Sequence, residues 1–129
     1  MTQQSKVAWF ELPADDMTRA RTFYNQVFGW VTPDMGNGGV FAITTPSDQQ
    51  GSPNEAGAIN GDISPRSSKL DRPLIFIAVD DMDAHLKAVQ NAGGTVVTTP
   101  QKEEQFGLVW SVIGDTEGNH VGLHQWLQK

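Results

Sequence analysis

The sequence predicts an α+β fold built from two tandem βαβββ modules. Two amphipathic helices carry the same start and stop signals, an apolar strand precedes each helix, and β-prone segments follow each one. The signals recur at an offset of 65 positions, which carries Asp16 onto Asp81 and Gly29 onto Gly94. A repeat of this length indicates two supersecondary units that pack together.

The first helix follows Asp15 and Asp16, either of which can cap the free N–H groups at a helix start. Its apolar residues recur at helical spacing and predict one face that packs on a core. They are Met17, Ala20, Phe23, Tyr24, Val27 and Phe28. Gly29 ends the helix, because glycine readily adopts the left-handed conformation found there.

The second helix repeats this design. It follows Asp80 and Asp81 and stops at Gly93 and Gly94. Its apolar stripe consists of Met82, Leu86, Val89 and Ala92. The matching signals support the internal repeat.

Seven short segments predict strands. They are residues 7–12, 40–45, 58–63, 74–79, 95–98, 108–113 and 120–126. The polar stretch 64–69 predicts a linker between the two modules. The modules therefore span about residues 5–63 and about 72–128 of a single domain, 1–129.

Composition limits the compartment and the partners. The chain has a formal net charge of −6 and no run of Lys or Arg, so we expect no nucleic-acid binding, because phosphate contacts supply most of that affinity. No apolar run approaches the roughly 20 residues of a membrane helix, and residues 1–6 lack an apolar signal core. Cysteine is absent, which excludes disulfides and thiolate ligands. We expect a cytoplasmic protein without membrane or nucleic-acid partners.

Three segments resemble the vicinal oxygen chelate superfamily of glyoxalases, bleomycin-resistance proteins and ring-cleaving dioxygenases. They are residues 9–30, 77–94 and 114–119, the last with Thr116 in place of the proline in that family's turn. The subgroup that the chain resembles is described as predicted enzymes related to lactoylglutathione lyase. The resemblance implies that two modules form a half-barrel cleft, in which most members hold one divalent metal ion.

The resemblance places the metal ligands of that family at Trp9, Leu74, Gly122 and, more loosely, Asn60 or Gly61. Indole, isobutyl and hydrogen side chains do not coordinate metals, whereas a zinc-type site needs three or four N, O or S donors. We therefore expect neither the inherited metal site nor another cofactor. A metal site rebuilt from other donors stays open as an alternative.

Strand alternation predicts which side chains line the cleft. They are Trp9, Glu11, Phe76, His120 and His124, and we predict that they bind the ligand. An aromatic lining with one carboxylate and two imidazoles suits a flat organic molecule. The alternative for Glu11 is an ion pair with a Lys or Arg, and the alternative for Trp9 is packing at a seam.

Two functions are compatible with this cleft. The first is a protein that binds a small aromatic or cationic molecule without a metal ion. The second is a lyase or isomerase related to lactoylglutathione lyase, which works through a rebuilt metal site or through Glu11 with His120 or His124 as acid and base. The sequence does not decide whether the protein is an enzyme. We also expect a homodimer, because paired subunits commonly cover the edges of such sheets.

Overall fold

A computed structural model of the chain describes residues 4–127. These residues form β1 (Val7–Ala14), α1 (Met17–Phe28), β2 (Val40–Ala42), β3 (Gly61–Pro65), β4 (Leu74–Ala78), α2 (Met82–Asn91), β5 (Thr95–Glu103), β6 (Leu108–Gly114) and β7 (His120–Trp126). The α+β class predicted from the sequence is confirmed. The chain divides into a first unit, Trp9–Leu74, and a second unit formed by the described residues on either side of it.

In the first unit, β3 lies between β2 and β1. β1 runs parallel to β3, and β2 runs antiparallel to it. Only two regular strands follow α1 in this unit. A further strand is reduced to two isolated bridges, Val31 with Ile43 and Asp34 with Val40, so this part of the βαβββ pattern is rudimentary.

Both ends of α1 are formed as predicted. The Asp16 side chain accepts a hydrogen bond from the Arg19 backbone N–H at 3.0 Å, which satisfies a donor that the helix leaves free. Gly29 ends the helix with φ of 74°, a conformation that side chains with a Cβ rarely adopt.

The apolar face of α1 is narrower than predicted. Met17, Ala20 and Tyr24 pack against a core of Ala14, Val40, Ala42 and Ile63. The other three predicted core residues stay largely exposed, Phe23 at 52%, Val27 at 55% and Phe28 at 59%. The prediction was wrong for them because the sheet covers a single stripe of α1. The rings of Phe23 and Phe28 instead contact the ring of Tyr24.

The second unit has the strand order β4-β7-β6-β5, with β4 parallel to β7 and the other pairs antiparallel. Asp81 caps α2 by accepting from the Ala84 N–H at 3.1 Å, and Gly93 follows the helix with φ of 99°. β5 continues to Glu103, past the predicted end at residue 98, through two register shifts.

The core of the second unit lies between α2 and its strands. It contains Val79, Met82, Ile113 and Leu123, and Leu86, Val89 and Val121 pack against it. Leu123 and Val121 therefore face the helix. The residues that alternate with them along β7 face the other side of the sheet. Within residues 4–127, neither helix is long and apolar enough to cross a membrane.

Candidate functional site

Four side chains meet on one face of the first unit. The parallel register places Glu11 of β1 opposite Asp62 of β3. Trp9 lies two residues before Glu11, and Ser64 lies two residues after Asp62, so strand alternation brings all four to the same face. We call Trp9, Glu11, Asp62 and Ser64 the carboxyl cluster.

Asp62 is the acceptor at the centre of the carboxyl cluster. It is only 3% exposed. Trp9 Nε1 donates to its Oδ1 at 2.7 Å, and Ser64 Oγ donates to its Oδ2 at 2.6 Å. The carboxyl group of Glu11 also forms a hydrogen bond with it. Two carboxyl groups can bond to each other only if one carries a proton, and the three donors around Asp62 favour its ionised form.

Glu11 is the member of the pair that holds the proton. Burial, the negative charge of Asp62 and the hydrogen bond to it raise the pKa of Glu11 to about 9. Burial also raises the pKa of Asp62, but its bonds to Glu11, Ser64 and Trp9 oppose that rise. At neutral pH the pair therefore holds one proton and one negative charge. The partner of Glu11 is an acid, whereas the sequence had suggested Lys or Arg as the alternative.

The carboxyl cluster has an aromatic flank and an accessible acid. The rings of Trp9 and Phe41 meet edge to face, with centroids 6.3 Å apart. Trp9 and Glu11 are both partly exposed, whereas Asp62 is buried. A molecule that approaches from solvent can therefore contact Trp9 and Glu11.

A second group of predicted site residues lies in the second unit. His124 is 7% exposed, and its ring lies 6.1 Å from that of Phe76 and 5.9 Å from that of Trp126. Its buried Nε2 has no hydrogen-bond partner among residues 4–127. Burial lowers the pKa of His124, so the neutral imidazole is favoured. We call Phe76, His124 and Trp126 the aromatic group.

The five predicted site residues are thus divided between the units. Trp9 and Glu11 contact Asp62 in the first unit, and Phe76 contacts His124 in the second. His120 opens β7 opposite Gly114. It lies four residues before His124, or about 13 Å along an extended strand, so these two imidazoles do not meet.

The positions that correspond to family metal ligands in the first unit are already occupied. The Trp9 N–H donates to Asp62. Asn60 is 1% exposed, and its amide oxygen accepts from the Thr44 N–H at 2.9 Å. Its amide nitrogen donates to Ser47 Oγ at 2.9 Å and to the Gly51 carbonyl at 3.0 Å. Asn60 therefore anchors the loop 46–56 and is not free to bind an ion.

The corresponding position on β7 is also filled. Gly122 lies directly opposite Phe76, and a Cβ added to Gly122 would overlap the Phe76 ring. No carboxylate could project from this position without displacing that ring. The residues present do not fit the metal of the superfamily, and within residues 4–127 no three His, Asp or Glu side chains are grouped to hold an ion.

A cavity of about 400 Å³ lies elsewhere, beside the start of α2. Its lining consists of Asp81, Met82, Asp83, Pro100, Lys102, Val109, Gln125 and Leu127 and includes none of the predicted site residues. The Gln125 side-chain oxygen accepts from the Met82 N–H at 2.8 Å, which serves as a helix cap. Glu11, whose pKa is raised to about 9, lies in the carboxyl cluster, and we place the candidate site there.

Sequence reasoning missed Asp62 and Ser64. The predicted strand 58–63 included Asp62, and alternation would have placed it on the same face as Asn60. The missing information was the pairing of β1 with β3, which brings two distant acids together. An acid within a predicted strand was the available signal, because a buried carboxyl group needs a partner.

Comparison with known proteins identifies relatives along most of the chain. The family model of the glyoxalase/bleomycin resistance protein/dioxygenase superfamily matches residues 6–123. CFP32 of Mycobacterium bovis, whose name assigns it to the glyoxylases, is 32% identical over 95% of this chain and 46% of its own length. A glyoxylase-like domain-containing protein of Didymella fabae is 29% identical over 92% of both chains. The anthracycline biosynthesis protein DnrV of Streptomyces peucetius is 32% identical over 86% of this chain and 43% of its own length.

The chain thus spans less than half the length of CFP32 and DnrV. Solved structures share its fold at low identity. Protein BH1468 of Bacillus halodurans superposes with a TM-score of 0.67, at 11% identity over 98% of both chains. Methylmalonyl-CoA epimerase of Mycobacterium tuberculosis superposes with a TM-score of 0.65, at 13% identity over 99% of this chain and 94% of the epimerase.

Proposed function

The chain belongs to the glyoxalase/bleomycin resistance protein/dioxygenase superfamily, and we propose that it binds a small aromatic or cationic organic molecule at the carboxyl cluster without a metal ion. The observation that carries this proposal is the arrangement of Trp9, Glu11 and Asp62. An indole ring lies beside the carboxyl group of Glu11, a partly exposed residue, and a buried carboxylate bonds to that group. The name of the relative DnrV, which refers to anthracycline biosynthesis, agrees with a small organic ligand.

Each part of the cluster supplies a different interaction. The indole ring of Trp9, a partly exposed residue, offers stacking or cation–π contacts. Glu11 offers a hydrogen-bond donor while it is protonated and a charge when it is not. Asp62 and Ser64 fix the position of Glu11 from behind. Few polar groups among aromatic side chains are typical of sites that orient a small molecule.

A thermal-shift screen of aromatic and cationic compounds tests the proposal. We expect at least one compound to raise the Tm by several degrees, since saturation at about 100 times Kd adds about 2.7 kcal/mol to the free energy of unfolding. Trp9→Leu and Asp62→Asn should each reduce that shift. The matched control is Glu103→Gln, because Glu103 also accepts from a tryptophan, Trp110 Nε1 at 3.3 Å, but lies outside the cluster.

A screen without any stabilising compound would contradict the proposal. So would a compound whose shift is unchanged in Trp9→Leu and Asp62→Asn, because it would bind elsewhere. Phe76, His120 and His124 remain predicted ligand-binding residues of the second unit. Their contribution to binding is measured from the thermal shift that the same compound causes in the variants Phe76→Leu, His120→Gln and His124→Gln.

A second candidate function is a metal-independent lyase or isomerase. The observation that favours it is a protonated Glu11 next to an ionised Asp62, since groups whose protonation differs so widely serve as acid and base. In this version Glu11 accepts a proton from the substrate as its own proton moves to Asp62, and the reverse transfer returns a proton from Glu11 to the substrate. Asp62 thereby takes the role that the sequence assigned to His120 or His124.

Hydrogen exchange distinguishes this enzyme from a binding protein. The protein is incubated in D2O with hemithioacetals and α-branched thioesters, and deuterium incorporation next to the carbonyl group is followed by NMR. An enzyme should catalyse exchange that Glu11→Gln abolishes and Glu103→Gln preserves. Absence of exchange over the whole panel, together with a stabilising ligand in the screen, would leave binding as the function.

A further inference from the structure

We infer that the carboxyl cluster exchanges a proton for an organic cation, so that a cation binding beside Glu11 releases the proton held between Glu11 and Asp62. This inference rests on the proposed function and narrows its ligand class from aromatic or cationic molecules to cations. The exchanged proton leaves to solvent, and the cation takes over its charge.

The geometry decides which acid meets the ligand. Asp62 is buried, and its two oxygens already accept from Trp9 and Ser64 at 2.7 and 2.6 Å. It therefore cannot turn towards a ligand without losing both bonds. Glu11 is partly exposed and supplies the remaining donor to Asp62. A cation consequently reaches the pair through Glu11.

Among the described residues, the ion pairs of the first unit do not involve Glu11 or Asp62. Within residues 4–127, no Lys or Arg lies within ion-pair distance of either acid. β1 contributes Trp9 to this face, β3 contributes Asp62 and Ser64, and Phe41 of β2 lies opposite Asp62. Asp62 is thus the charged group that acts on Glu11. The shared proton is the only positive charge that these residues provide to the pair.

A bound cation changes this balance. A positive charge within about 4–6 Å lowers the pKa of a carboxyl group by about 1–3 units, and the pKa of Glu11 in the free protein is about 9. At a pH between the lowered pKa of Glu11 in the complex and its pKa in the free protein, the free protein holds the proton and the complex does not. Binding then releases a proton, so the affinity rises with pH, by up to about tenfold per pH unit. A neutral ligand releases no proton.

Isothermal titration calorimetry of the whole chain tests the exchange. The probe is benzyltrimethylammonium, whose charge is fixed, so every released proton comes from the protein. Titrations at pH 6, 7, 8 and 9 give the affinity, and two buffers with different heats of ionisation give the number of protons released. We expect release approaching one proton per bound probe near pH 8, and affinity that rises about 5- to 250-fold from pH 6 to pH 9, for a pKa of Glu11 lowered by about 1 to 3 in the complex.

Glu11→Gln and Glu103→Gln are the matched variants. Glutamine can still donate to Asp62, so Glu11→Gln keeps the arrangement but has no proton to release. We expect it to bind the probe with an affinity that does not change with pH. Glu103→Gln should behave like the unaltered protein. Circular dichroism establishes that both variants are folded before the titrations.

Benzyl alcohol is titrated in parallel as an uncharged aromatic probe. Binding of benzyltrimethylammonium without proton release and with equal affinity at every pH would overturn the exchange but leave the proposed function intact. Binding of benzyl alcohol alone would have the same consequence. Failure of both probes to bind at any pH would contradict the exchange and the proposed site together.

Discussion

Corresponding strand pairs of the two units carry opposite chemistry. In the first unit Glu11 lies opposite Asp62, and in the second unit Phe76 lies opposite Gly122. Phe76 follows Glu11 at the 65-residue offset of the sequence repeat. The same parallel register therefore holds two acids in one unit and an aromatic ring over a glycine in the other. The backbone repeat is kept, while one pair is acidic and the other joins an aromatic ring to a glycine.

The two units also differ in how burial acts on their titratable groups. In the first unit it favours a neutral acid, Glu11, and in the second it favours a neutral base, His124. The stability of the native state consequently depends on pH with opposite signs at the two places. Three predictions test these differences between the two units.

The largest expected change in the free energy of unfolding from a substitution at a single pH is in the pair Phe76 and Gly122. Phe76→Ala should lower the free energy of unfolding by about 3–5 kcal/mol, because Phe76 is 6% exposed and its loss leaves a cavity. Gly122→Ala should cost about 1–3 kcal/mol, since the added methyl group overlaps the Phe76 ring. The double variant should cost less than the sum, because the methyl group enters the cavity. Urea denaturation of the four proteins measures this, and additive costs would show that the two residues do not share the space.

The second effect concerns the acid pair. The pKa of Glu11 is about 9 in the folded chain and 4.5 as the ordinary value, so between these pH values the native state binds more protons than the unfolded state. Its stability should therefore fall as pH rises from 5 to 9, by up to about 1.4 kcal/mol per pH unit from this group. Urea denaturation at each pH measures the slope. Glu11→Gln should flatten it, and an equal slope in that variant would assign the dependence to other residues.

The smallest effect concerns His124. Replacing it by Phe removes a buried nitrogen that has no hydrogen-bond partner among residues 4–127, and should stabilise the chain by about 1 kcal/mol at pH 7. Burial lowers the pKa of His124, so the unaltered protein loses stability as pH falls below about 6.5, the ordinary histidine value. The advantage of His124→Phe should therefore grow from pH 7 to pH 5. An advantage that stays constant or shrinks would show that His124 does not titrate as buried.

The features that the sequence predicted correctly are local ones. Asp16, Gly29 and Asp81 mark helix ends through bonds to backbone a few residues away. Strand alternation also agrees with Leu123 on the helix side of β7, because the period of a strand can be counted from one segment alone. The repeated strand and helix signals supplied the fold class, and the family resemblance agrees with it.

The features that the sequence missed depend on contacts between distant segments. No local pattern shows that Glu11 pairs with Asp62, since parallel strands are joined by a long connection and their register is set by the whole fold. The exposure of Phe23 and Phe28 was missed for a related reason. Helical periodicity shows which residues share a face, but the width of the covering sheet decides how many are buried.

The ring of Phe76 over Gly122 also constrains how this chain can evolve. A lineage that acquires an acidic residue at position 122 must first shrink Phe76, and that first step leaves a void. Taken in the opposite order, the first step forces a polar group into an aromatic ring. Either order passes through a less stable intermediate, so selection for stability at each single step disfavours an acidic residue at position 122.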